Sequence, residues 1–348
     1  MPQITAAALL DAARILLAAP VRGAPESTRF VEADTGLAIL TDPGRCLIGE
    51  AIALAAREVG ARATVVVLDR QDKPLRTLPA EARAALASST ATVFVAAAPN
   101  SERSMREQVA AIVKAREMRY ARLPDVSEQA FVDGLRLDHR QVLGIGRALE
   151  DRVQRGRVLE VTSPAGTDLR VTVTAGAWVE RLGELVPGDG VGFPAGALYT
   201  SPESIEGTFV ADGSLGEFFG VREGALAGKP VRFEIANGRV TAAHAPGCTA
   251  LESDVRALLA FAENSNRIGL VVLGVNPGVA GPTGDAGVDQ CLPGLHLGVG
   301  DPGGRSTATA VAWKARTAFA ACQKGSRVLV DGVLVYEDGR IVPSSAGR

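Results

Sequence analysis

The chain has only three histidines, and one of them, His296, stands in the short apolar run GLHLGVG just ahead of the glycine-rich DPGG. An imidazole there does chemistry only if other groups converge on it. A catalytic zinc keeps about three protein ligands, and a general base needs a partner that orients it. Several side chains compete for that role. Cys291 lies close before His296, but residues five apart on a strand point to opposite faces, so it reads as a buried thiol before a turn. Glu203 and Glu206 in SPESIEG have the types of an acid/base pair, yet in a strand-and-turn setting they need not face one another, and they read as solvated carboxylates. Asp285, Asp289 and Asp301 stand in glycine-rich loops, where aspartate serves turns. Ser201 and Ser306 lack the elbow motif that exposes a nucleophilic serine.

The elements that must position these residues fall into two textures. GLAILTD, TVVVLD and ATVFVAAA are apolar strands, alternating with helices over IGEAIALAAREVGA, PAEARAALASS and SMREQVAAIVKAREM. Buried strands alternating with helices predict a small doubly wound parallel sheet, an α/β domain over 31–150 that follows an N-terminal helix and linker over 1–30. LGIGRAL supplies only Gly144 and Gly146 and lacks a third glycine, and TDPGR is no phosphate loop, so both read as turns. From 151 to 348 the pattern is that of a β-rich α+β domain. VLEVTSPAGTDLRVTVT and VRFEIANGRVTAA read as hairpins, DVRALLAFAENS as an inserted helix, and RVLVDGVLVYEDGRIV as a closing meander.

Composition excludes several partner classes. With 37 basic and 39 acidic residues the net charge is only -2, so no electrostatic footprint for nucleic acid or an anionic membrane is expected. The four cysteines are scattered without zinc or redox spacing and fit a reducing compartment. The opening ITAAALLDAARILLAAP has no basic cluster before it and is broken by Asp11 and Arg14. It is expected to be an amphipathic helix of a cytoplasmic protein.

At VTSPAGTDLRVTV, GFPAGALYTSPESIEGTFVADGS, NRIGLVVLGVNPGVAG and RVLVDGVLVYEDGRIV the chain resembles the aminopeptidase T type family of metallopeptidases. The resemblance implies an N-terminal α/β domain, a β-rich C-terminal domain, and a dimer whose cleft holds two divalent metals. Ligand by ligand, the chain departs from that pattern. The family's glutamate before the LYT equivalent falls on Ala197, and the glutamate of the strand before Asn-Pro-Gly falls on Leu270. The histidine ahead of the glycine-rich loop is kept as His296. The final His-x-Asp falls on Ala310 to Ala312, followed by Trp313. A branch resembling dihydroxypyridine dioxygenases keeps that terminal pair for iron, and this chain lacks it. Two metals about 3.5 to 4 Å apart need several anionic oxygens, which alanine and leucine do not supply.

The expectation is therefore a non-catalytic peptide-binding protein with no metal and no cofactor. It would hold a precursor or leader peptide for modifying enzymes, as peptide-binding relatives do in crocagin-type ribosomal peptide pathways. Its groove is expected to be lined by Phe193, Tyr199, Glu206, His296, Arg305 and Trp313, with the protein a homodimer. His296 is either a remnant of the metal site or an ordinary strand histidine. The alternatives are a metal-dependent aminopeptidase or dioxygenase-like enzyme with a re-invented site around His296, Asp301 and Glu206, and a structural subunit paired with a catalytic paralogue.

Overall fold

The computed structural model describes residues 4–71, 73–216, 218–303 and 311–343. The chain divides into two compact units, Met1–Leu143 with Gly183–Ala195, and Gly144–Leu182 with Gly196–Arg348. The sequence reading separates 1–30 and changes texture near 150. In the structure the N-terminal helix belongs to the first unit, and 183–195 returns to it.

In the first unit, α1 (Ala6–Leu17) begins at Thr5, whose hydroxyl accepts the Ala8 N–H and satisfies one orphan donor of the first turn. Then β1 (Gly36–Thr41), α2 (Cys46–Glu58), β2 (Arg62–Val67), α3 (Ala80–Ala87), β3 (Ala91–Val95) and α4 (Arg103–Ala115) alternate where the sequence pattern puts them. β4 (Arg119–Arg122) follows; its arginines hide it from a hydropathy reading, although Tyr120 and Ala121 are buried. After α5 (Glu128–Gly134), the division between units falls inside α6 (His139–Val153). β5 (Val158–Thr162), β6 (Asp168–Val173) and β7 (Val179–Arg181) belong to the second unit, and β8 (Gly190–Gly192) completes the first sheet. That sheet is parallel, in the order β2-β1-β3-β4-β8. Central strands β1 and β3 are buried throughout, so their sequences run apolar rather than alternating.

The C-terminal ends of parallel strands are where such sheets usually receive ligands. Here the protein's own charges fill that place. Glu102 is fully buried and takes two bonds from Arg70, at 2.8 and 2.9 Å. Asp42 accepts from Arg70 at 3.1 Å and from the Ala97 N–H at 2.6 Å. TDPGR is a short 3-10 turn at Pro43–Arg45, in agreement with the sequence reading. LGIGRAL differs: it lies inside α6, where a Cβ on Gly146 would come within 2.3 Å of Leu182. Close packing, not a turn, demands that glycine.

The second unit continues with β9 (Ala197–Thr200), β10 (Pro202–Ala211), β11 (Ser214–Leu215), α7 (Phe218–Glu223), β12 (Val231–Ala236), β13 (Arg239–His244) and α8 (Thr249–Leu259). It closes with β14 (Ile268–Gly274), α9 (Ala286–Asp289), β15 (Gly294–Gly300), β16 (Ala318–Cys322), β17 (Arg327–Val330), β18 (Val333–Glu337) and β19 (Arg340–Ile341). These strands form a sheet β13-β12-β10-β6-β5-β17-β18-β19 and a second sheet β11-β16-β15-β14-β9-β7. The predicted turns Asn237-Gly238, Asp331-Gly332 and Asp338-Gly339 all carry positive φ, as tight hairpins of this hand require. No helix among the described residues is long and apolar enough to cross a membrane.

Candidate functional site

The register of β9, β14 and β15 decides what the positions named by the resemblance can do. Val272 pairs with Tyr199 on one side and with His296 on the other, and Leu270 pairs with Gly298. Cross-strand partners share a face and every second residue returns to it, so Ala197, Tyr199, Leu270, Val272 and His296 all project to one side of the sheet. The structure thus gathers three of the expected ligand positions. They hold no carboxylate. Ala197 and His296 are fully buried and Leu270 is 5% exposed, and Ala197, Tyr199, Leu270 and Val272 form one apolar cluster. Leu270 also lies over Gly298, where an added Cβ would sit 3.0 Å from the leucine Cβ.

His296 is committed at both nitrogens. Nε2 donates to the Leu292 carbonyl over 2.7 Å, and Nδ1 accepts the Gln323 N–H at 3.3 Å, which fixes the Nε2–H tautomer. Gln323 is itself held, donating to the Leu295 carbonyl at 2.7 Å and accepting from the Thr167 hydroxyl at 3.1 Å. Burial lowers the pKa of His296 to about 4, against the opposing effect of the Leu292 bond, so the ring is neutral. Neither nitrogen is left for a metal or a bound peptide. The reading of His296 as a strand histidine bonded to backbone describes it. The residues present do not fit a two-metal centre, and no group of three or more His, Cys, Asp or Glu that could hold a metal ion occurs among the described residues.

The other candidates are likewise held. Asp289 is fully buried and accepts from the Ser214 hydroxyl, the Thr283 N–H and hydroxyl, and the Gly284 N–H, between 2.5 and 2.9 Å. Desolvation still raises its pKa over the opposing effect of these bonds. Asp285 caps α9 through the Gly287 and Val288 N–H groups. Asp301 takes the Gly303 and Ala315 N–H groups at 2.6 and 2.9 Å. The turn roles expected of these aspartates are what the structure shows. The Cys291 thiol is buried and meets the Gly287 carbonyl. The Ser201 hydroxyl donates to the Gly269 carbonyl at 2.9 Å instead of to an imidazole. Arg305, Ser306 and Ala310 lie outside the described residues.

Three groove expectations are corrected. Phe193 belongs to the first unit, where it packs edge-on against His139 at 5.0 Å. The sequence reading assigned it to the β-rich domain because β8, which carries the chain back, is too short to see. Tyr199 is 7% exposed and its hydroxyl donates to Gln290 at 3.1 Å, so it belongs to the buried face and not to an open wall. Glu206 is exposed on β10 opposite Arg170 and lines no cleft named here.

Where β9 ends and β14 begins, the unit opens. Thr174, Ser201, Glu203, Asn237, Arg267 and Trp313 are among the residues around a cleft of about 210 Å³, with Ala312 beside Trp313. Trp313 lines this cleft. Arg267 is the residue that the sequence reading misses. Its guanidinium carbon stands 4.6 Å from the centre of the Trp313 ring, a cation–π contact. Arg267 is the last residue before a wholly apolar strand, a signal of a side chain at a strand mouth. Across the cleft the Thr174 hydroxyl donates to Glu203.

No sequence-family model matches the chain, and no curated protein matches it. Among solved structures, the chain is similar to 2,5-dihydroxypyridine dioxygenase from Pseudomonas putida KT2440, with TM-score 0.66 and 17% identity over 99% of this chain and 100% of that one. It is also similar to wild-type AmpT from Thermus thermophilus, with TM-score 0.64 and 17% identity over 97% of this chain and 99% of that one. At this identity the likeness concerns the fold: the chain has an aminopeptidase-T-like architecture, with an N-terminal parallel sheet and a β-rich C-terminal region.

Proposed function

We propose that this chain is a non-catalytic peptide-binding protein that holds a precursor or leader peptide for partner enzymes of a peptide natural-product pathway. The observation that carries the reading is a contrast on the same strands. The face on which metal ligands are expected is closed, apolar at Ala197 and Leu270, and locked at His296, while the strand mouth two to three residues away stays open and polar around Trp313. An extended segment can bind through backbone hydrogen bonds, with its side chains in alternate pockets and without a metal. Trp313 supplies the flat apolar surface on which such a segment packs, and Ser201, Asn237 and Glu203 supply polar partners. A homodimer, as the resemblance implies, is part of this proposal.

The competing enzyme reading needs His296, Asp301 and Glu206 to converge. His296 and Asp301 spend their polar atoms on backbone groups, and Glu206 is exposed on β10. The test is selection from a library of N-acetylated hexapeptides on immobilised protein. Enrichment that disappears with Trp313→Ala is expected. No enrichment, together with one equivalent of zinc or iron by elemental analysis, would replace this reading with the enzyme reading.

A further inference from the structure

Among the described residues, most arginines that meet a side-chain partner meet a carboxylate. Arg14, Arg70 and Arg222 each donate side-chain bonds to glutamate or aspartate, and those bonds raise their pKa above the ordinary guanidinium value. Arg267 is the reverse. Among the described residues its guanidinium makes no hydrogen bond and no ion pair, and its side-chain contact is the Trp313 ring. Burial, and then the charge of Arg239, lower its pKa. Arg239 brings no acid either, since it donates to the side-chain oxygens of Asn266 and Asn264 at 2.8 and 3.1 Å. Neither of these two bridged arginines forms an ion pair among the described residues, and Arg267 is the one that lines the cleft, with Glu203 bonded there to the Thr174 hydroxyl. On the segment that carries Trp313, Arg316 stacks on the exposed Phe261 at 5.8 Å. A guanidinium over an indole face spends none of its N–H donors on a hydrogen bond there, and carboxylates match those donors bidentately.

We propose that the Arg267–Trp313 pair receives the C-terminal carboxylate of a bound peptide, with the last side chain of that peptide beside the indole. This rests on the peptide-binding reading above and gives it a direction. A terminal carboxylate is accompanied by the N–H of its own residue, and Glu203 and Asn237 line the same cleft as acceptors for that donor. A glutamate side chain brings no such donor at that distance. The stacked arginine is half-open, so its attraction is screened by salt.

The experiment uses two N-acetylated hexapeptides selected on the protein that differ only in a C-terminal carboxylate or carboxamide, with hippurate as a small carboxylate probe. Binding is read by calorimetry and by tryptophan fluorescence. The carboxylate peptide is expected to bind at least tenfold tighter than the carboxamide, which corresponds to about 1.4 kcal/mol. Arg267→Gln should erase that difference, Arg267→Lys should restore part of it, and both variants should melt with the parent. Equal binding of the two peptides would overturn the carboxylate assignment and leave peptide binding standing. Tight binding of a carboxamide peptide only when it carries an internal glutamate would also overturn it, in favour of a side-chain carboxylate. If neither peptide binds, the peptide reading falls. Hippurate then decides separately, because quenching that depends on Arg267 keeps the carboxylate site and its absence removes it.

Discussion

The buried face and the open cleft of the second unit share β14, and they treat polar groups in opposite ways. On the face, both ring nitrogens of His296 have a protein partner, as do both carboxylate oxygens of the buried Asp289 on α9. In the cleft, Arg267 is left with an aromatic ring alone among the described residues. Buried polar groups left unpaired are costly, so a site waiting for a ligand is kept where water can serve meanwhile. The lesson is where to look. The positions named by the resemblance and the guanidinium without a polar partner lie in different parts of this unit.

The largest effect should come from returning charge to the face. Leu270→Glu places a carboxylate in an apolar cluster with no cation beside it, and a loss of about 3 kcal/mol or more in chemical denaturation is expected. Arg267→Gln, three residues earlier in the chain, should change stability by less than about 0.5 kcal/mol. A comparable loss at both positions would break the contrast between closed face and open cleft.

The second effect is in pH. His296 and His139 are both fully buried, one with both nitrogens bonded and the other with neither nitrogen bonded among the described residues, and burial lowers each pKa from 6.5 to about 4. The unfolded chain therefore takes up a proton first. The stability from keeping these rings neutral is complete above pH 6.5 and is lost as the pH falls toward 4, by up to about 3 kcal/mol per ring. Melting temperature should fall through that window. His139→Phe should flatten part of the slope without breaking a side-chain hydrogen bond among the described residues, whereas a pH-independent melting curve between 7 and 4.5 would show that the rings are not held neutral.

Smaller still is the effect of Trp313→Ala, expected to weaken peptide binding by roughly tenfold or more, about 1.4 kcal/mol, with the fold intact. Unchanged affinity would move recognition away from the cleft. The smallest is Glu206→Ala, at an exposed position of β10, where stability and binding should each stay within about 0.5 kcal/mol.

Much of this architecture was legible in the sequence, for local reasons. The apolar runs of β1 and β3, the Asn-Gly and Asp-Gly turns and the change of texture toward the second unit all follow from short-range pattern. β4 escaped because arginines bracket its two buried residues, and β8 because three residues carry no period. Gly144 and Gly146 read as a turn because the partner that requires a glycine, Leu182, comes from a distant segment. The site was half legible. The absence of acids at Ala197 and Leu270 is read directly from the sequence. The bonds that immobilise His296 come from Leu292 and Gln323 on either side of β15, and the stacking of Arg267 on Trp313 joins a strand start to a later segment. Only tertiary packing brings such pairs together.

The central claim is that recognition resides in the cleft and needs no metal. Its most direct test is one calorimetric titration of a selected carboxylate-ended hexapeptide, run with and without an excess of chelator. Identical affinity in the two titrations is predicted. Affinity that chelator abolishes and added zinc or iron restores would contradict the account.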